Sequence, residues 1–231
     1  MAKQYAIIVG GGTGTRMGSE VPKQFLPLNG LPVLMHTLAA FANCTACPTL
    51  VLVLNSSLIG EWNQLCKKHD FTISHTIIAG GPTRFHSVLN GLQHIKNDLS
   101  EDKQGYIAVH DGVRPLISKK IIDEGFAKVS QLNTSFVTAI PSKDSIRIRI
   151  EGSQTTSALD RTRVFLVQTP QFFPANILLE AYDQSYKEQF TDDASVVEQF
   201  GYPIGIIQGD TRNIKITFPE DLLLAEIMMK A

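Results

Sequence analysis

Five short apolar runs separated by amphipathic stretches fill the first 140 residues of the chain, and this alternation leaves few folds open. The runs QYAIIV (4–9), TLVLVL (49–54), HTIIAG (75–80), GYIAVH (105–110) and SFVTAI (135–140) are rich in Ile and Val and are bounded by Gly, Asn, Asp or Pro. Such runs suit strands buried on both faces. Between them PVLMHTLAAFAN, SLIGEWNQLCKKH, TRFHSVLNGLQHIKND and SKKIIDEGFAKVSQ have helical spacing, and each opens on Pro, Ser or Thr, residues that favour helix starts. The alternation predicts an α/β fold: a mostly parallel central sheet with helices on both faces. Ligands in such sheets bind beyond the carboxyl ends of the strands. The loops after the first, third and fourth runs, GGGTGTR, AGGPTR and HDGVRP, are therefore expected to converge on one crevice.

After residue 141 the pattern breaks. SIRIRI alternates strictly, Glu151-Gly152 follows, and a polar Ser/Thr run comes next. This predicts a protruding β-hairpin arm at about 141–162 with its turn near Gly152, suited to dimerisation or to a solvated surface role. The α/β pattern then returns with a helix near 174–187, a second helix opened by TDDAS, the strand PIGIIQG, and a final strand and helix within RNIKITFPEDLLLAEIMMK. One domain spanning 1–231 plus the arm is expected. The net charge of −1 argues against a nucleic-acid surface, because polyanion binders usually carry a basic excess. No apolar run reaches the ~20 residues of a membrane span, and the N-terminal apolar stretch is too short for a secretory signal, so a cytoplasmic setting is expected. Cys44, Cys47, Cys66 and His69 have a spacing compatible with structural zinc, but the strand-like TLVLVLN between the pairs fits that context poorly.

The segment GGGTGTRMGSEVPKQF (10–25) invites a phosphate-cradle reading. It is not a dinucleotide fingerprint, since Thr15 or Met17 stands where the third glycine belongs, nor a P-loop, since no Gly-Lys pair occurs in it. What remains is a loop whose backbone N–H groups at Gly10, Gly11, Gly12 and Gly14 can approach an anion closely. Arg16 and Lys23 add charge there, and Lys215, set among apolar residues in NIKITF, supplies a third cation. Asp111 ends a central strand, where a carboxylate can hold Mg²⁺ against nucleotide phosphates; its alternative is a helix cap or a partner for Arg114. His110 reads as a packed strand residue.

No nucleophile motif of the G-x-S-x-G type is present. The combination suits nucleotidyl transfer from a nucleoside triphosphate to a phosphate monoester. Such an acceptor is already ionised near neutral pH, with a second pKa of about 6, so positioning and charge stabilisation suffice.

The ordered set GGGTGTRMGSEVPKQF, GGPTRFHSVLNGL, HDGVRP, KDS, LDRTRVFLVQTPQFF, TDDAS and GDTRNIKITFPEDL closely resembles the 2-C-methyl-D-erythritol 4-phosphate cytidylyltransferases of non-mevalonate isoprenoid synthesis. The resemblance spans nearly the whole chain. It implies a Rossmann-like nucleotidyltransferase fold, CTP as substrate, Mg²⁺ as cofactor, and a homodimer locked by the arm. It implies Arg16, Lys23 and Lys215 as catalytic cations and Asp111 as the metal-binding carboxylate. Gly10, Gly11, Gly12, Gly14, Gly81 and Ser87 fall on the nucleotide side. Asp111, Arg114, Ser145, Arg161, Thr169 and Thr191 fall on the polyol-phosphate side, with Arg161 reaching in from the partner chain. Gly10-Gly11-Gly12 stands where Ala-Ala-Gly is usual, and Ser145 where the arm usually has Thr. PKQFLPLNG also occurs in ribitol 5-phosphate cytidylyltransferases, although Arg161 and the TDDASVVE segment favour methylerythritol phosphate. A nucleotide-binding module without transfer activity is the alternative of a different class.

Overall fold

The computed structural model describes residues 2–12, 21–99 and 104–230. In chain order, β1 (Lys3–Val9) is followed by the two-residue strands β2 (Pro27–Leu28) and β3 (Leu31–Pro32) and by α1 (Val33–Ala42). Next come β4 (Thr49–Leu54), α2 (Ile59–Lys68), β5 (Thr76–Ala79), α3 (Arg84–Asp98), β6 (Gly105–Asp111), α4 (Lys119–Leu132) and β7 (Ser135–Pro141). The arm strands β8 (Ile146–Arg149) and β9 (Thr156–Leu159) precede β10 (Phe165–Pro174), α5 (Ala175–Ala181), α6 (Asp193–Gln199), β11 (Ile204–Gln208) and α7 (Pro219–Lys230).

Seven strands form one sheet in the order β11-β7-β10-β6-β1-β4-β5. All run parallel except β10, which pairs antiparallel with both β6 and β7. The central strands β1, β4, β6 and β7 are buried on both faces, which explains their unbroken apolar runs, whereas the edge strand β5 is only partly covered. Along β1, Ala6 and Ile8 enter a core shared with α1, α2 and α4, while Tyr5 and Ile7 enter a second core shared with α3, α5 and α6. The helices begin where polar caps satisfy free N–H groups. The side chain of Thr83 accepts from His86 N at the start of α3, and that of Ser118 accepts from Ile121 N at the start of α4. Asp192 and Ser195 form a reciprocal capping box on α6.

The sheet order also sets the ligand crevice. From β1 the chain moves outward to β4 and β5, then returns to place β6 on the other side of β1. A crevice opens where strand connections diverge in this way. Val9 and Asp111 are register partners at the adjacent strand ends, and the first loop residues are tied across: Gly10 N to Val53 O, Gly80 N to Leu54 O and Gly112 N to Val9 O.

Three findings depart from the sequence reading. The expected strand within 212–218 is absent; this segment is irregular, held by Ile216 N donating to Val113 O and by burial of Ile216 in a small third core with Leu28, Val33 and Ala225. The alternating pattern there reflects packing of single apolar residues rather than a ladder. The helix expected near 174–187 ends at Ala181, where Tyr182 caps it. Phe165–Pro174, to which the sequence reading assigned no element, is a strand inserted into the middle of the sheet. The arm itself forms as expected: β8 and β9 pair antiparallel from Ile146↔Leu159 to Arg149↔Thr156, with Gly152 at a positive φ of 73° in the turn. The three cysteines are free; Cys44 is buried with its thiol donating to Phe41 O, and Cys47 is exposed. Among the described residues no group of three or more His, Cys, Asp or Glu is arranged to hold a metal ion, and no helix is long and apolar enough to cross a membrane.

α4 crosses the sheet so closely at Gly125 that a Cβ there would fall on the ring of Phe172, which is fully buried. Gly125→Ala is expected to destabilise the fold by about 1–3 kcal/mol through overpacking, measured by chemical denaturation; an unchanged midpoint would contradict this packing.

Candidate active site

Two adjoining cavities lie at the carboxyl end of the sheet. The first, of about 440 Å³, is lined by Gly10, Gly11 and Gly12 after β1, by Lys23, and by Gly81 and Ser87 at the start of α3. The second, of about 230 Å³, is lined by Arg114, Gln168, Thr169, Gln171, Thr191 and Asp192. Arg84, Asp111 and Lys215 line both.

The first cavity owes its shape to backbone approach. Gly81 lies so near α3 that a Cβ would collide with His86, and its N–H donates to Ser87 Oγ at 3.1 Å, which in turn donates to Thr83 O at 3.0 Å. On the opposite wall a 3-10 turn at Lys23–Phe25 carries Lys23, and the next residue, Gln24, is buried and donates Nε2 to Gly10 O at 2.7 Å. Gln24 thus fastens the Lys23 turn to the end of β1. Arg16 and Gly14, expected on this wall, lie outside the described residues.

Asp111 stands between the cavities. Its Oδ2 faces Lys215 Nζ at 3.0 Å and Arg114 Nε at 3.3 Å, and its Oδ1 faces Arg84 Nε at 3.8 Å. Burial by itself would raise the Asp111 pKa, but the charge of Arg84, then of Lys215 and Arg114, outweighs it and holds the carboxyl well below the usual carboxylate range. Asp111 is therefore ionised at neutral pH. From the described residues its Oδ1 accepts no hydrogen bond and meets only Arg84, at 3.8 Å; a carboxylate oxygen is the kind of ligand a hard cation takes alongside phosphate oxygens. In this sense the residues fit Mg²⁺. The neighbouring His110 is fully buried, and burial lowers its pKa to about 3, so the ring is neutral, with Nε2 at 3.2 Å from Arg114 O.

The second cavity is built on β10 and the start of α6. At the register shift between Gln168 and Gln171, Thr169 turns its hydroxyl to accept the backbone N–H of Asp111 at 3.0 Å. Asn213 Nδ2 donates to Thr169 O at 2.8 Å, and Arg114 Nη1 donates to Asn213 O at 2.8 Å, tying the segment before Lys215 to this wall. Gln171 spans to α6, donating to Asp192 Oδ2 at 2.8 Å and accepting from Ala194 N at 2.9 Å.

The structure therefore brings together Gly10, Gly11, Gly12, Lys23, Gly81, Ser87, Asp111, Arg114, Thr169, Thr191 and Lys215. It does not bring Ser145 or Arg161 to these cavities; both lie exposed on the arm, where Arg161 Nη1 donates to Lys143 O at 2.9 Å. Sequence reasoning missed Arg84 and Gln24. For Arg84 a signal existed: a cation in the first turn of a helix opposes the helix dipole, so its presence directly after the Thr83 cap called for an anion.

The sequence profile of the 2-C-methyl-D-erythritol 4-phosphate cytidylyltransferase family matches residues 4–231. The chain belongs to this family. The family's enzyme from Porphyromonas gingivalis is 47% identical over 228 residues, covering 98% of both chains, and that of Bacteroides thetaiotaomicron is 42% identical over 228 residues, covering 98% of this chain and all of its own. Among solved structures, the 4-diphosphocytidyl-2C-methyl-D-erythritol synthase of Anaerococcus prevotii superposes with a TM-score of 0.82 at 25% identity, over all of this chain and 97% of that one. A bifunctional enzyme of Campylobacter jejuni matches over 96% of this chain and 54% of its own, with a TM-score of 0.76 at 26% identity.

In this cytidylyltransferase the Thr169 hydroxyl is what satisfies the buried Asp111 N–H. Thr169→Val, which keeps the shape and removes the acceptor, is expected to cost about 1–3 kcal/mol of stability, read by denaturation; no loss would show that the bond is dispensable.

Proposed function

We propose that this chain transfers CMP from CTP to 2-C-methyl-D-erythritol 4-phosphate, releasing pyrophosphate and forming 4-diphosphocytidyl-2-C-methyl-D-erythritol, in isoprenoid biosynthesis. One observation carries the reading: two cavities of unequal size meet on Arg84, Asp111 and Lys215. The larger suits a nucleoside triphosphate against the glycine loop, and the smaller suits a polyol phosphate. With both filled, their phosphates meet at the shared residues.

Each group then has a physical task. The acceptor phosphate, whose second pKa is about 6 by analogy with phosphorylated side chains, needs no base. It attacks the α-phosphorus of CTP in line; the new P–O bond forms as the bond to the β-phosphate bridging oxygen breaks, and the electron pair leaves with pyrophosphate. Lys23 and Lys215, with Arg16, offset the negative charge that develops. Asp111 Oδ1 would hold Mg²⁺, which supplies charge neutralisation on the nucleotide phosphates. Arg114, Thr169 and Thr191 orient the acceptor, while Gly10, Gly11, Gly12, Gly14, Gly81 and Ser87 hold the cytidine side.

Ser145 and Arg161 enter this scheme through a second copy of the chain. Ile148, Ile150 and Leu159 on the arm, and Phe165, Leu166 and Val167 at its base, are large apolar residues left exposed. Exposed apolar residues concentrated on one arm favour an interface, and a homodimer joined through the arm would deliver Arg161 and Ser145 to the partner's acceptor cavity. A cytoplasmic setting, where CTP is at hand, is part of the proposal.

The deciding experiment is pyrophosphate release with Mg²⁺ and CTP, comparing methylerythritol 4-phosphate, ribitol 5-phosphate and no acceptor, with UTP and ATP as controls. Release restricted to CTP with methylerythritol phosphate is expected; preference for ribitol phosphate would contradict the acceptor assignment. Lys23→Ala and Lys215→Ala are expected to lower kcat on the order of 10²- to 10³-fold with little change in CTP binding; an unchanged kcat would remove that residue from the mechanism. Arg161→Ala is expected to raise KM for the acceptor more than for CTP, and equal changes would place it elsewhere.

A further inference from the structure

Arg84, Asp193 and Tyr182 form a charged cluster drawn from three helices. Arg84 is the first residue of α3, Asp193 is the first of α6, and Tyr182 caps α5. Arg84 Nη1 and Nη2 donate to the two carboxylate oxygens of Asp193 at 2.8 and 2.6 Å, and the Tyr182 hydroxyl donates to Asp193 Oδ1 at 2.6 Å. Burial alone would lower the Arg84 pKa, but Asp193 outweighs it and the guanidinium stays charged; burial raises the Tyr182 pKa well above its ordinary value, so the phenol remains a donor. Asp193 is 0% exposed and lines neither cavity.

The cluster does more than neutralise a buried charge. Arg84 faces both cavities and lies 3.8 Å from Asp111. The residues immediately before Asp193 are Thr191 and Asp192, which line the acceptor cavity. The start of α6 is thus held from two directions: by Gln171 on β10, through Asp192 and Ala194, and by Arg84 on α3, through Asp193. Tyr182 stacks on Phe85, the residue next to Arg84, with ring centroids 4.6 Å apart, which fixes the third corner. A bidentate guanidinium–carboxylate pair fixes orientation as well as distance, so the pair sets where Thr191 stands relative to Asp111.

We infer that Arg84, acting through Asp193, is a positioning residue that joins the nucleotide-side helix α3 to the acceptor-side start of α6, and that acceptor capture depends on this link. The inference rests on the cytidylyl-transfer reading. Geometry held in this way is sensitive to small displacements, because catalytic and binding groups misplaced by about 1 Å lose much of their effect.

The test uses Asp193→Asn and Tyr182→Phe in the full-length enzyme, with steady-state kinetics varied separately in CTP and in methylerythritol 4-phosphate, alongside thermal denaturation. Neither residue lines a cavity, so a purely structural role would lower the melting temperature without separating the two KM values. The expected result is a rise in acceptor KM of about tenfold for Asp193→Asn and about threefold for Tyr182→Phe, with KM for CTP within about twofold. Equal movement of both constants, or movement of neither, in a folded variant would overturn the inference. If the uncompensated Arg84 charge prevents Asp193→Asn from folding, Tyr182→Phe decides alone, since phenylalanine keeps the stack on Phe85. An unmodified enzyme that forms no product would overturn the transfer reading and this inference with it; an active enzyme without the KM split would overturn this inference alone.

Discussion

The Asp111 carboxylate, faced by Arg84, Arg114 and Lys215, is the interaction on which the site depends. A buried charge is tolerated only with partners, and here the partners come from the start of α3, from the loop after β6 and from the irregular segment before α7. Together they keep the carboxylate ionised despite its burial. The cost of burying one acid at the end of a central strand thus organises segments up to 131 positions apart in sequence, from Arg84 to Lys215. In the proposed reaction the same arrangement would serve the chemistry, because cations fixed before substrate arrives need no reorganisation as charge develops.

The sheet makes this possible by its order. Placing β6 beside β1, with Val9 opposite Asp111, puts the glycine loop and the acidic strand end on one level. The antiparallel β10 then adds what a purely parallel sheet lacks: it enters beside β6 from the opposite direction, so that Thr169 meets Asp111 while Gln171 reaches α6. The smaller cavity is therefore walled by a strand whose direction differs from that of every other strand in the sheet. The larger cavity follows the usual rule for open α/β sheets. The match to the Campylobacter jejuni bifunctional enzyme over 54% of its chain shows that this unit also occurs within a longer protein.

Much of this was legible in the sequence. The central parallel strands β1, β4, β6 and β7 announced themselves because strands buried on both faces must be apolar throughout, and the arm because SIRIRI alternates as a two-sided ribbon does. β10 was missed because periodicity carries no direction: FLVQTPQFFP contains two prolines, which argue against a central strand, and nothing local says that a register shift accommodates one of them. The strand expected at 212–218 failed for the opposite reason, since Ile214 and Ile216 alternate only to fill a small core beneath α7. Of the residues lining the larger cavity, Lys23, Asp111 and Lys215 were picked out from residue type and position. The Arg84–Asp193 pair joins residues 109 positions apart, and only the fold reveals it.

If Asp111 brings metal, nucleotide and acceptor to one centre, as proposed, Mg²⁺ must act on CTP binding through its carboxylate. The most direct measurement is calorimetric titration of CTP into the unmodified enzyme and into Asp111→Asn, each with and without Mg²⁺. Mg²⁺ is expected to strengthen CTP binding to the unmodified enzyme, and the variant to lose most of this gain while keeping its metal-free affinity. A variant whose CTP binding responds to Mg²⁺ as the unmodified enzyme does would contradict this role of Asp111.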